Sequence, residues 1–199
     1  MTAMLARMLG DMLNGGRAVT RVLLLMVCAM GLALMAKGAI IPVKAGVAQV
    51  LLERSFAESR AAGRPVRPWP WADTAPVARI GIARLGVERI VLSGGSGQAM
   101  AFGPTEMPGA RDARVTIMAA HRDTHFAFLA RARVGDVVTV EPVKGQVRRY
   151  RITGFQVARW DRFAVPRDTA RPLLGLVTCY PFDATERGPM RFIAWGEEV

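Results

Sequence analysis

Two histidines, two cysteines and a set of late arginines are the residues of this chain able to carry covalent chemistry. Cys179 closes the apolar run GLVTCYPF (175–182), just before Tyr180-Pro181 breaks it. Cys28 lies inside a long apolar N-terminal run, so Cys179 has no disulfide partner on its own side of a membrane. A lone cysteine is often no more than a small buried hydrophobe. At a strand end, however, with His121 and His125 upstream and Arg187 and Arg191 downstream, it has the base and the cations that a thiolate nucleophile needs.

The run RVTIMAAHRDTHF sets His121 at the tip of a strand that ends at Ala119-Ala120, the same kind of position that Cys179 holds. Two such tips can face each other across the rim of a barrel. His121, Asp123 and His125 are also spaced like zinc ligands, with Cys179 as a third donor type. Arg122 and the later arginines would repel a cation there, so no metal and no cofactor are expected. His125 is expected to start a short helical piece reaching Ala130 and to pack there. The acids Asp161, Asp168, Asp183 and Glu186 occur singly, each near an arginine, without the carboxylate density of a calcium site.

The elements that must position these residues are short. Strand runs are expected at 77–85, 87–94, 115–119, 137–140, 147–155, 173–178 and 191–195, separated by turns such as Val134-Gly135-Asp136 and Lys144-Gly145-Gln146. Such spacing leaves no room for repeated long helices and predicts a mainly β, mostly antiparallel barrel or sandwich. Ser93 to Gly97 is glycine-rich but lacks the Gly-Lys-Ser/Thr of a phosphate loop, and it reads as a flexible turn that opens no helix.

Upstream, Val22 to Val43 is apolar apart from Lys37 and long enough to span a bilayer. An uncleaved anchor is favoured over a signal peptide because the apolar character resumes after Lys37. Arg7, Arg17 and Arg21 before the run favour a cytoplasmic N-terminus, with the rest of the chain outside. From Lys44 to Ala62, Val47, Val50, Leu51 and Phe56 fall at helical spacing and predict a juxtamembrane helix. GRPVRPWP (63–70) cannot continue it and forms a linker, on which Trp69 and Trp71 are expected to pack the connector onto the domain. The domain organisation is therefore 1–21 cytoplasmic, 22–43 anchor, 44–75 helix and linker, and 76–199 a β-domain. The formal charge is +11, and from Lys44 onward 23 Lys and Arg face 15 Asp and Glu. With no dense basic run and no interleaved aromatics, a nucleic-acid partner is not expected; an anionic membrane or envelope polymer suits the charge as well.

An N-terminal anchor, a strand ending at His121, a strand ending LVTC at Cys179 and an arginine on the next strand together resemble the sortases. HRDTHF and TCYPF, with RPWPWAD before the barrel, look most like the sortase class of Gram-negative bacteria, and the resemblance spans Arg67 to Val199. One departure is Gly175, where many sortases have threonine. The resemblance implies an eight-stranded sortase-like barrel with short helices, in the periplasm and tethered to the inner membrane. It implies a cysteine transpeptidase that cleaves a C-terminal sorting signal of an exported protein and passes the acyl group to an amine acceptor. In that reading Cys179 is the nucleophile, His121 the general acid and base, Arg191 the oxyanion donor and Thr178 a neighbour of the substrate backbone. Arg187 is the alternative arginine. Arg191 is preferred because it enters the strand RFIAW, whereas Arg187 lies in a turn. Two other readings remain: a cysteine transpeptidase acting on peptidoglycan stem peptides, and an anchored, non-enzymatic β-domain that binds envelope polymer.

Overall fold

The structure, a computed structural model, describes residues 2–108, 114–166, 169–186 and 188–199, with side chains from residue 19 onward except 41. The chain forms two compact units, Met1–Val47 and Ala48–Val199. One helix, α1 (Thr2–Ala62), runs through the apolar stretch and the juxtamembrane stretch without a break and contains Pro42. By length and composition, its part from Val19 onward is able to cross a membrane.

Of the residues whose spacing predicted the juxtamembrane helix, Phe56 is buried and Leu51 half-buried. Val47 and Val50 are exposed, and Ala48, Leu52, Ser55 and Ser59 are buried with Phe56. These residues recur at three- and four-residue steps, so they form one stripe. Leu52 and Phe56 pack with Ile90, Leu92, Ala99 and Val143, each burial stabilising by about 1.5–3 kcal/mol. Arg79 stacks over the Phe56 ring at 4.6 Å and pairs with Glu53 and Glu141. The linker then doubles back along the helix. Ser55 Oγ donates to Val66 O (2.6 Å), and Val66 N–H donates to Ser59 Oγ (2.8 Å). Trp69 packs edge-on against Phe102 at 5.1 Å, as expected, but Trp71 is exposed at the tip of a turn.

Eight strands form a closed barrel: β1 (Pro76–Ile82), β2 (Val87–Leu92), β3 (Thr105–Glu106), β4 (Val115–Ala119), β5 (Val137–Pro142), β6 (Arg148–Arg159), β7 (Leu173–Cys179) and β8 (Met190–Glu198). Their order around the barrel is β1-β2-β3-β4-β7-β8-β6-β5. The pairs β2–β3 and β4–β7 are parallel and the remainder antiparallel. Residues 83–85, expected to extend the first strand, make a 3-10 turn ending at Gly86, which takes a left-handed φ of 61°. The glycine-rich segment does open a helix, contrary to expectation. Ser96 Oγ accepts from Ala99 N–H and caps the single turn α2 (Gly97–Met100). The short helical piece after His125 is a 3-10 turn, Ala127–Arg131.

Strand alternation divides inside from outside. Leu174, Leu176 and Ala194 point into the main core with Met118 and Phe126. The alternate residues Leu173 and Val177 of β7 face outward with Val115 and Ile117 of β4 and Trp195 of β8, under Phe163 and Val165 of the β6–β7 connection. Gly175 explains itself in this outer row. A Cβ there would lie 2.6 Å from Ile117 Cδ1 and 2.9 Å from Trp195 Cζ3. A larger residue there would make Ile117 and Trp195 shift, so the glycine noted in the sequence suits the way these two side chains close over β7. At the β1–β2 end, Asp136 is buried and accepts from Arg84 Nη2 (2.7 Å) and Arg133 N–H (2.8 Å).

Candidate active site

Cys179 belongs to the outward-facing row and is a half-buried free thiol at the last position of β7. Two neighbouring strands bring the other groups to it. In the antiparallel β7–β8 pair, Cys179 lies directly opposite Arg191, so both side chains rise from the same face. In the parallel β4–β7 pair, Ala119 is level with Val177. His121 stands two residues past that rung and lines the same groove as Cys179. Ala120 N–H donates to Val177 O (3.2 Å), which closes the last rung of that pairing.

The three side chains line one groove of about 770 Å³, with Ala119, Val177, Met100 and Met107 as apolar wall and Arg122, Asp123, Thr185 and Gly188 as polar wall. Arg191 Nη1 donates to Gly188 O and Met190 O, both at 2.9 Å. Among the described residues its Nε and Nη2 have no protein acceptor, which leaves a planar donor edge for a ligand oxygen. Thr178 has its side chain in the inward row of β7 and also lines the groove, next to Cys179. It is 2 % exposed, and its hydroxyl donates to Ala120 O (2.8 Å). Its side chain thus ties the tip bearing His121 to the tip bearing Cys179. Arg187 lies outside the described residues.

Arg122 is the residue that the sequence did not point to. Its Nη1 donates to Pro181 O (2.8 Å) and its Nη2 to Glu186 O (3.3 Å), so it holds the β7–β8 loop from the His121 side while Arg191 holds it from the other. Its place directly after His121 was the available signal. The Tyr180-Pro181 peptide at the start of that loop is cis. His125 does not join His121: its Nε2 faces Ala101 O at 3.4 Å. Burial lowers its pKa, opposed by that carbonyl and reinforced by the charges of Arg89 and His121. Among the described residues no three His, Cys, Asp or Glu side chains gather as a metal-ligand set.

A family model described as "Sortase domain" matches residues 80–199, well over half the chain. The chain belongs to the sortase family. Sortases are cysteine transpeptidases, and the solved structures carry the same fold. Sortase C1 from Streptococcus suis is 18 % identical, with a TM-score of 0.55 over 62 % of this chain and 73 % of that one. Sortase A from Corynebacterium diphtheriae is 16 % identical, with a TM-score of 0.58 over 65 % and 63 %. Sortase C-1 from Actinomyces oris is 21 % identical, with a TM-score of 0.55 over 73 % and 98 %. No curated protein sequence matches the chain.

Proposed function

We propose that the chain is a membrane-anchored sortase that cleaves a C-terminal sorting signal on exported proteins through a thioacyl intermediate on Cys179. The convergence of Cys179, His121 and Arg191 on one groove carries this reading. In the first half-reaction, Cys179 Sγ attacks the scissile carbonyl, and the developing oxyanion accepts hydrogen bonds from the free edge of Arg191. As the C–N bond breaks, the imidazolium of His121 gives its proton to the leaving amine. A thioester then remains on Cys179. In the second half-reaction, an acceptor amine loses a proton to neutral His121 and forms the new C–N bond, and the thiolate leaves. Thr178 and Arg122 act by position, the first by aligning the two strand tips and the second by holding the loop wall. The stretch 22–43 anchors the chain in the inner membrane, with 76–199 on its outer side.

Trapping of the acyl-enzyme tests the reading. Full-length protein is incubated with an envelope-protein fraction or with peptidoglycan stem peptides, and the Cys179 fragment is analysed by mass spectrometry. A hydroxylamine-labile adduct whose acyl part derives from the C-terminal region of an exported protein is expected, and Cys179→Ala should form none. Adducts from stem peptides alone would replace the sorting assignment. A folded wild-type protein whose Cys179 takes neither adduct nor thiol probe would overturn the nucleophile.

A further inference from the structure

Trp71 stands 82 % exposed, and neither the barrel nor the groove uses it. Its presentation is rigid. Ala72 N–H donates to Trp69 O (3.0 Å) to close a turn that holds Pro70 and Trp71 at its tip, and Pro70 presets the backbone for such a turn. Both flanks are fixed: Trp69 packs on Phe102, Ala72 is buried, and Thr74 Oγ1 donates to Ser93 O (2.7 Å). An indole held out in water contributes nothing to folding, whereas its apolar body and single N–H donor suit the boundary between headgroups and acyl chains.

Its place in the domain points to the same partner. The linker runs back along α1, so Trp69 reaches Phe102, whose carbonyl accepts from Gln49 Nε2 at 2.8 Å. The turn therefore sits at the Gln49 end of the domain's helix. Gln49 follows Val43, the last residue of the apolar stretch, by six residues, a reach of at most about 20 Å even when fully extended. Arg64 and Arg67 on the same linker are exposed and favour an anionic headgroup layer. We propose that Trp71 inserts into the interfacial layer of the bilayer that holds the 22–43 stretch and so sets the orientation of the domain. This rests on the anchored reading given above. Met100 and Ala101, just before Phe102, line the groove, so the same contact fixes the height of the groove above the headgroups.

The test uses the full-length chain in vesicles of phosphatidylcholine and phosphatidylglycerol. The lipids are brominated either near the headgroup end of the acyl chain or near the terminal methyl. Tryptophan fluorescence should be quenched more by the shallow bromines. Trp71→Ala should cut that shallow quenching by about twofold or more, and Trp160→Phe, at the other well-exposed indole, should leave it unchanged. Equal quenching of wild type and Trp71→Ala in protein that resists carbonate extraction overturns the proposal and leaves the anchor standing. Release of wild-type protein by carbonate removes the anchor, and this proposal with it.

Discussion

Replacing Thr178 by valine keeps the shape of the side chain and deletes one hydroxyl. That hydroxyl donates to Ala120 O at 2.8 Å from a side chain that is 2 % exposed, and Ala120 itself is buried. Loss of a donor that leaves a buried carbonyl unpaired costs about 1–3 kcal/mol. For a domain of this size that lowers Tm by roughly 3–9 °C. The same bond sets the β4 tip against the β7 tip, so His121 should lose its alignment with Cys179 and turnover should fall by about 10-fold to 100-fold, the range that misplacement on the ångström scale produces. Thr178→Ser keeps the donor and should retain most of the wild-type turnover. Calorimetry paired with steady-state cleavage of a fluorogenic sorting peptide separates this from a direct substrate contact. A side chain that only touched substrate would raise KM at unchanged Tm. Thr178→Val with a wild-type Tm would refute the positioning argument.

Arg191→Lys should lower kcat by roughly 10²-fold with little change in KM, because lysine keeps the charge and loses the planar fork; single-turnover kinetics that show the large defect in Arg187→Lys instead would move the oxyanion role. The Arg84 hydrogen bond holds the Asp136 carboxyl below its ordinary pKa. Its contribution to stability is therefore complete above the unfolded value of about 4 and drains away as pH falls toward the lower folded value. The Tm gap between wild type and Asp136→Asn should shrink on acidification through that window, and a gap constant with pH would contradict the linkage. Cleavage should be indifferent to calcium, since among the described residues no carboxylate cluster lines the groove; a several-fold loss in EGTA that calcium restores would show otherwise.

The sequence was most informative where an apolar run stopped. The strand ends that carry His121 and Cys179 were legible because each apolar pattern stops abruptly, and β4–β7 pairing brings the two ends to one groove. Elements too short to have a period stayed hidden, namely the two residues of β3 and the single capped turn of α2. β6 runs four residues past the expected end at Phe155 because β8 pairs with it as far as Arg159, a tertiary cause without a local signal. The face of α1 was only partly legible, through Phe56: Ser55 and Ser59 also face inward to bond Val66, and no hydrophobicity pattern marks a buried serine. Arg122 escaped because its acceptors are backbone carbonyls 59 and 64 residues away. Trp69 and Trp71 are two residues apart and alike in composition, and only the closed turn between them sends one inward and the other out.

The parallel pairing of β4 with β7 has a consequence for the order in which the chain matures. The tips that it joins are 58 residues apart in sequence, and β5 and β6 lie between them along the chain but on the far side of the barrel. Closing so long a loop is slow and comes late, since its entropy must be overcome before any contact rewards it. Until then, Cys179 has no imidazole at its side. An unclosed chain thus keeps Cys179 and His121 apart, and the groove that both line comes into being only when the barrel shuts.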